Sequence, residues 1–393
     1  MSKSGFTFYE FFAGGGMARM GLGRGWRCLF ANDFSAKKAA AYRANFPPAR
    51  DLVVQDIRKL TADDLPGQAM LAWASFPCQD LSLAGERRGL SGDRSGTFWP
   101  FWNLMVDLSS RGRRVPIIVL ENVVGALTSR GGRDFSSIVE RLADSGYRVG
   151  ALVMDAALWV PQSRPRLFVV AVDRNVETPE HCLASQPNET WHTGAVRKAY
   201  EGVADAARSC WAWWSLPLPP QRSATLMDVV EQKPTSVAWH SRQQTLSLVR
   251  MMSPLHRERL RQIQREGSLT VGTVYRRTRP DGEGAKVQRA EVRFDQVSGC
   301  LRTPAGGSSR QTLLVIHGES VRSRLLSSRE AARLMGVPDD YELPTSYNDA
   351  YHLMGDGVAV PAVSWLSKKL LQPLAKAAQA IAIPPPPEKN LSP

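Results

Sequence analysis

Four side chains in this chain of 393 residues have the types and the order needed to attack an electron-poor ring: Cys78, Glu121, Arg164 and Arg166. Cys78 stands behind a proline in Ser75-Phe76-Pro77-Cys78-Gln79, where an apolar run ends. Its thiolate would be a strong nucleophile. Glu121 is followed by Asn122 and closes the apolar run Ile117-Ile118-Val119-Leu120. A carboxyl buried at a strand end is pushed up in pKa and keeps its proton near neutrality. Such a group can donate to a ring nitrogen and accept from an exocyclic amine. Arg164 and Arg166 flank Pro165 in Gln162-Ser163-Arg164-Pro165-Arg166. In extended backbone, residues two apart face the same side, so both guanidiniums are expected to converge on one site. Taken singly, each has a plainer reading: an inert core thiol, a strand-end carboxylate on backbone amides, a surface charge pair. The stretch after Cys78 weighs against the first. It carries Gly85, Arg87, Arg88, Gly89, Gly92, Arg94 and Gly96, the composition of an exposed basic loop.

Upstream, Phe12-Ala13-Gly14-Gly15-Gly16 is a turn through which backbone can approach a ligand closely, ahead of a helix with unpaired amides. The dinucleotide pattern fails, because Arg19 stands where a third small residue should pack. Asp33 closes the second expected strand, placed for two ribose hydroxyls, and Asp56 follows the third, placed for an adenine amine. Ribose and adenine without pyrophosphate point to S-adenosylmethionine. The alternative, that Asp33 and Asp56 only cap helices, stays open.

These groups need a scaffold. Strands are expected at Phe6 to Phe12, Arg27 to Ala31, Leu52 to Val54, Met70 to Ala74, Pro116 to Leu120 and Leu167 to Val172, with a helix over Ala36 to Asn45. Alternation of this kind predicts an α/β fold with a mostly parallel, doubly wound sheet, whose ligands sit beyond the carboxyl ends of the strands. Composition changes near residue 180. Between Gln221 and Arg310 there are 16 Lys/Arg against 8 Asp/Glu, among scattered glycines. A helix is expected again after Ser327, with Glu330 completing a capping box. Pro384 to Pro387 suggest a disordered tail.

The net charge of +13 favours a polyanionic partner. Five scattered cysteines without a CxxC pair suggest neither a zinc site nor a disulfide framework. No apolar run reaches the ~20 residues of a membrane span, and Met1 to Gly5 are too short and polar for a signal peptide. A cytoplasmic protein without a metal is expected.

As a set, the glycine turn, Pro77-Cys78-Gln79, Glu121-Asn122-Val123 and Gln162-x-Arg164-x-Arg166 resemble the bacterial DNA cytosine-5 methyltransferase family. Arg329 to Pro338 and Met354 to Pro361 are similar to its last two signatures. The resemblance implies a Rossmann-like S-adenosylmethionine-dependent domain over 1–179, a smaller inserted target-recognition domain over 180–320, and a return to the first domain over 321–393. It carries Phe12, Ala13, Gly14, Gly16, Met17, Asp33, Phe34, Asp56, Ile57, Pro77, Asp356 and Val358 over as cofactor contacts. The family often has Glu at the place of Asp33, and Asn at that of Asp356. Cys78, Glu121, Arg164 and Arg166 become the catalytic set. The implied activity is methylation of carbon 5 of a flipped cytosine in double-stranded DNA, by a monomer. A restriction endonuclease acting on the same site, without stable complex, is the implied partner.

Rival readings are weaker on the residues. The tRNA-directed branch carries a Cys-Phe-Thr tripeptide that is absent here. A silent DNA-binding paralogue would not need an intact Cys78, Glu121 and arginine pair. A dehydrogenase fails on the glycine pattern. Base edges are expected to be read from the middle region, which offers Arg276, Arg277, Arg279, Gln288, Arg289, Arg293, Arg302, Arg310 and Gln311.

Overall fold

The computed structural model describes residues 5–77, 96, 98–280, 284–303 and 310–382. The first half alternates strands and helices: β1 (Phe6–Phe11), α1 (Met17–Leu22), β2 (Trp26–Asp33), α2 (Ala36–Asn45), β3 (Leu52–Val54), β4 (Leu71–Ala74), α3 (Phe98–Ser110), β5 (Ile117–Val123), α4 (Arg133–Asp144), β6 (Tyr147–Asp155) and β7 (Pro165–Asp173). Seven strands form one sheet in the order β3-β2-β1-β4-β5-β7-β6. Neighbours from β3 to β5 are parallel, and β7 runs antiparallel to both β5 and β6. The winding reverses between β1 and β4, which opens a crevice at their carboxyl ends. The glycine turn and Pro77 leave the sheet there.

Strand β6 departs from the sequence reading, which placed no strand between Leu120 and Leu167. Its residues are buried on both faces, so its sequence lacks the alternation that marks a half-exposed strand. Gly150 is part of the reason: a Cβ there would collide with the Ala212 carbonyl and the Trp214 indole.

Next come β8 (Leu183–Ala184), α5 (Gly194–Glu201), α6 (Asp205–Arg208) and β9 (Trp213–Trp214). The composition boundary at 180 does not match the packing here. Cys182, Trp191 and Trp214 share a core with Phe168 and Val170 of β7. The Trp214 indole also donates to the Val170 carbonyl at 3.1 Å. These tryptophans cover the sheet, and the same core continues through Leu216 to Leu226 and Val229.

The remaining middle region holds α7 (Leu226–Val229), α8 (Arg242–Arg250), α9 (Pro254–Glu266), β10 (Thr270–Pro280), β11 (Lys286–Arg293), β12 (Thr312–His317) and β13 (Ser320–Leu325). The four strands form a separate antiparallel sheet in the order β11-β10-β12-β13, which runs past residue 320. One face of it closes on α8 and α9 through Leu248, Met252, Leu260, Ile263, Val274, Ala290, Val292, Leu314 and Ile316. Ser241 and Ser253 cap the two helices, as their short side chains favour.

The chain then returns through α10 (Ser328–Leu334), α11 (Tyr347–Asp356), α12 (Val360–Leu366) and α13 (Gln372–Ala382). Ser327 accepts from the Glu330 amide, and Glu330 accepts from the Ser327 amide at 2.7 Å, the expected capping box. The same carboxylate pairs with fully buried Arg324 at 2.6 Å, locking α10 to β13. Helix α12 packs on α1 so closely that a Cβ at Gly21 would collide with Val363.

Candidate active site

Glu121 and Asn122 lie in the last turn of the pleat in β5, and alternation sends them to opposite faces. In the β5–β7 register Glu121 faces Phe168 and Val123 faces Arg166. Glu121 and Arg166 are therefore diagonal neighbours on one face. Arg166 Nε lies 3.4 Å from Glu121 Oε1. Glu121 is only 6 % exposed. Burial pushes its carboxyl above the ordinary range, against opposing pulls from Arg166, the Ser75 hydroxyl and Arg164. Asn122, on the other face, donates to the Phe76 carbonyl at 3.3 Å and accepts from the Val123 amide at 2.8 Å. It thus ties β5 to the segment that ends in Pro77. Cys78 and the basic stretch that follows, Gly96 apart, lie outside the described residues.

The arginine pair does not act as one unit. Strand β7 begins at Pro165, so Arg164 precedes it and the two-residue alternation does not extend that far. Arg164 is 1 % exposed. It donates to the carbonyls of Leu301 at 2.8 Å, Gly355 at 2.7 Å and Gly357 at 2.6 Å. Burial, then repulsion from Arg166, pulls its pKa down. Gln162 works beside it: its amide donates to the Leu334 carbonyl at 2.7 Å and accepts from the Leu301 amide at 2.9 Å. Gln162 and Arg164 thus fasten the C-terminal return and the middle region to the sheet, while Arg166 alone meets Glu121.

Sequence reasoning missed Cys300. Its sulfur sits 3.3 Å from Arg164 Nη1 and 4.0 Å from both terminal nitrogens of Arg166. Burial would raise this thiol, but Arg164, Arg166 and Arg302 together hold it below the ordinary thiol range. The missing signal was spatial: 134 residues separate it from Arg166.

On the cofactor side, Gly14 and Gly16 take φ of +56° and +78°, the left-handed region that favours glycine. A Cβ on Gly14 would meet nothing within 4 Å, whereas one on Gly16 would collide with the Phe46 ring. Asp33 accepts from the Gly14 amide at 2.9 Å and the Ser35 amide at 2.8 Å. Its neighbour Phe34 is an aromatic plate left 70 % exposed. Asp56 caps the short turn Ile57–Lys59, accepting from the Arg58 amide at 2.9 Å and pairing with its guanidinium at 2.6 Å. Asp56 therefore does the capping that the plainer reading allowed, whereas Ser35 caps α2 and Asp33 ties the glycine turn to the end of β2; a carboxylate retains lone pairs for a second donor. Ala13, Met17, Ile57 and Val358 are buried in the core. Phe12 adopts φ +59°, and Pro77 is the last described residue of its segment. Asp356 pairs with Lys38 at 2.8 Å and accepts from the Thr303 hydroxyl. A Cβ on the next residue, Gly357, would strike Met17, so the C-terminal return does press on the glycine turn.

The model of the C-5 cytosine-specific DNA methylase family matches residues 6–372. The chain belongs to that family. It is 26 % identical over 390 residues to the Type II methyltransferase M.HpaII of Haemophilus parainfluenzae, covering 94 % of this chain and 90 % of that one. It is 24 % identical over 376 residues to M.MspI of Moraxella sp, covering 94 % and 71 %. The fold is shared with an S. pombe Dnmt2 methyltransferase at TM-score 0.58 and 15 % identity, covering 96 % and 100 %. The methyltransferase EhMeth of Entamoeba histolytica is similar at TM-score 0.61 and 12 % identity, covering 96 % and 99 %.

The methyltransferase transfers a methyl group to carbon 5 of cytosine in DNA and uses S-adenosylmethionine. The residues at the crevice fit that cofactor. The exposed Phe34 face, the open space over Gly14 and the Asp33 carboxylate beside it offer stacking, close approach and hydroxyl acceptance. Among the described residues no helix is long and apolar enough to cross a membrane, and no cluster of metal-ligating side chains occurs.

Proposed function

We propose that Cys78 is the nucleophile, Glu121 the acid and Arg166 its positioning partner in a sequence-specific DNA methyltransferase acting as a monomer. Carbon 5 of cytosine is too weak a nucleophile to react unaided. Addition of the Cys78 thiolate to carbon 6 pushes electron density onto carbon 5, splitting one hard step into easier ones. Glu121 donates to ring nitrogen 3, where negative charge develops, and accepts from the exocyclic amine. Arg166 keeps that carboxyl in place and adds positive charge beside the ring. S-adenosylmethionine, held by Asp33, Phe34, Asp56 and the glycine turn, supplies an electrophilic methyl group. Loss of the carbon 5 proton to a base and expulsion of the Cys78 thiolate restore the ring. Reaching this carbon requires the base to leave the helical stack.

The observation that carries the reading is the buried Glu121, raised in pKa yet touching Arg166. Burial there favours the protonated, donating form of the carboxyl, and Arg166 opposes it. The relatives' designation as Type II methyltransferases supports a modification role beside an endonuclease cutting the same unmethylated site. Duplex DNA carrying 5-fluorocytosine blocks proton loss and should trap the protein covalently when S-adenosylmethionine is present. A denaturation-resistant adduct is expected with the wild type and none with Cys78→Ala. An undiminished adduct in Cys78→Ala would remove the thiol from its role.

A further inference from the structure

Strands β10 and β11 form a hairpin whose two faces have different surroundings. On one, Val274, Ala290 and Val292 pack against α8 and α9, and the cross-strand register puts Arg276 on that side opposite Ala290. On the other, the Tyr275 hydroxyl donates to the Cys300 carbonyl, and its ring lies where a Cβ on Gly299 would be. Cys300 touches Arg164 and Arg166, and Arg166 touches Glu121. A continuous chain of contacts therefore links the catalytic acid to this second face of the hairpin.

Alternation places Arg277 and Arg279 beyond Tyr275 on the same face, with Arg289 directly opposite Arg277 and Glu291 opposite Tyr275. Both Arg277 and Arg279 pair with Glu291, at 3.2 Å and 2.6 Å. The Arg277 guanidinium also lies 5.5 Å from the Tyr275 ring centre. All three arginines are exposed. Like charges directly opposite each other destabilise a hairpin, and among the described residues the carboxylate that pairs with this group is Glu291. An arrangement that costs stability in the free protein suits a face that meets an anionic, acceptor-rich surface. Each pair of residues along a strand advances ~6.6 Å, close to two base-pair steps.

Three other candidates are engaged elsewhere in the protein. Gln311 is fully buried and holds Ser298 and Gly299. Arg293 pairs with Asp295 at 2.5 Å, and Arg310 donates to Asn348 at 2.5 Å.

We propose that Arg277, Arg279 and Arg289 read base pairs flanking the target cytosine, with Glu291 holding the first two until DNA displaces it. Arginine is suited to this, since its fork bonds O6 and N7 of guanine together. The inference rests on the reading that the enzyme methylates duplex DNA. Arg276, on the opposite face of the same hairpin, serves as an internal comparison.

The test is bisulfite sequencing of a randomised duplex library methylated in vitro by the full chain and S-adenosylmethionine. Arg277→Ala and Arg289→Ala should each relax discrimination at a base position near the cytosine, by about 5- to 150-fold. Arg276→Ala should leave the preferred sequence unchanged. Arg277→Lys keeps the charge and loses the fork, so it should retain affinity while relaxing the same position, even if the alanine variant folds poorly. Uniform loss of methylation in all four variants, with the sequence preference intact, would make these arginines phosphate contacts and overturn the proposal. Total methyl transfer by the wild type reports separately on the activity itself.

Discussion

Glu10 and Glu121 are both buried carboxyls raised in pKa by burial, yet they occupy different settings. Glu121 stands at the end of β5 with Arg166 beside it. Glu10 is inside β1, accepts from the Arg19 amide at 3.1 Å through one oxygen, and has no partner for the other among the described residues. Burial pushes Glu10 up to about 8, with Arg19 opposing and Asp51 and Asp33 adding to the rise. The sign for stability follows. Its folded pKa exceeds the unfolded one, so its contribution is complete at low pH and is lost as pH rises through about 8. Between pH 6 and 8 the wild type should lose up to about 1.4 kcal/mol per pH unit from this group. Glu10→Gln should flatten that slope, which urea unfolding at several pH values would measure. An unchanged slope would mean that Glu10 is ionised in the folded protein.

At the scale of elements, the connection from β6 to β7 sends its polar side chains to different partners within five residues, Gln162 to Arg166. Gln162 and Arg164 face carbonyls and an amide from distant segments, and only Arg166 reaches Glu121. Losing Arg164 would leave the carbonyls of Leu301, Gly355 and Gly357 without their buried donor. Each such vacancy costs roughly 1–3 kcal/mol. Arg164→Met should therefore destabilise by about 3 kcal/mol or more and lower the melting temperature. Arg166→Gln should melt close to the wild type while turnover falls. Thermal unfolding measured beside single-turnover methylation separates the two. Equal melting losses would show that both arginines are structural.

For the whole molecule, the net charge of +13 is spread unevenly, with much of the excess in the separate antiparallel sheet and its helices. Helix α9 alone carries Arg257, Arg259, Arg261 and Arg265, and Glu258 pairs with the last two at 2.6 and 3.2 Å. Such a body should bind duplex DNA largely by releasing counterions. Log affinity is expected to fall linearly with log salt, by about 0.9 for each phosphate neutralised. Fluorescence anisotropy from 50 to 300 mM salt would give the slope. A flat response would remove phosphate contact as the source of affinity.

Motif order, the parallel half of the sheet and the left-handed glycines of the turn were legible in the residues alone. They depend on short-range rules: apolar runs ended by polar groups, glycines where φ is positive, a serine three residues before a glutamate. Strand β6 was not legible, because burial on both faces erases alternation. The composition change at 180 misled as well, since Trp191 and Trp214 bury against the first sheet. Only tertiary structure decided that Arg164 is a clamp and Arg166 the partner of Glu121, for Arg164 reaches carbonyls 137 to 193 residues away and Arg166 meets Glu121 across two strands. It also decided which arginines share a hairpin face with Tyr275. Strand register, set by pairing across the sheet, assigns each side chain to a face, and local sequence carries no record of the partner strand.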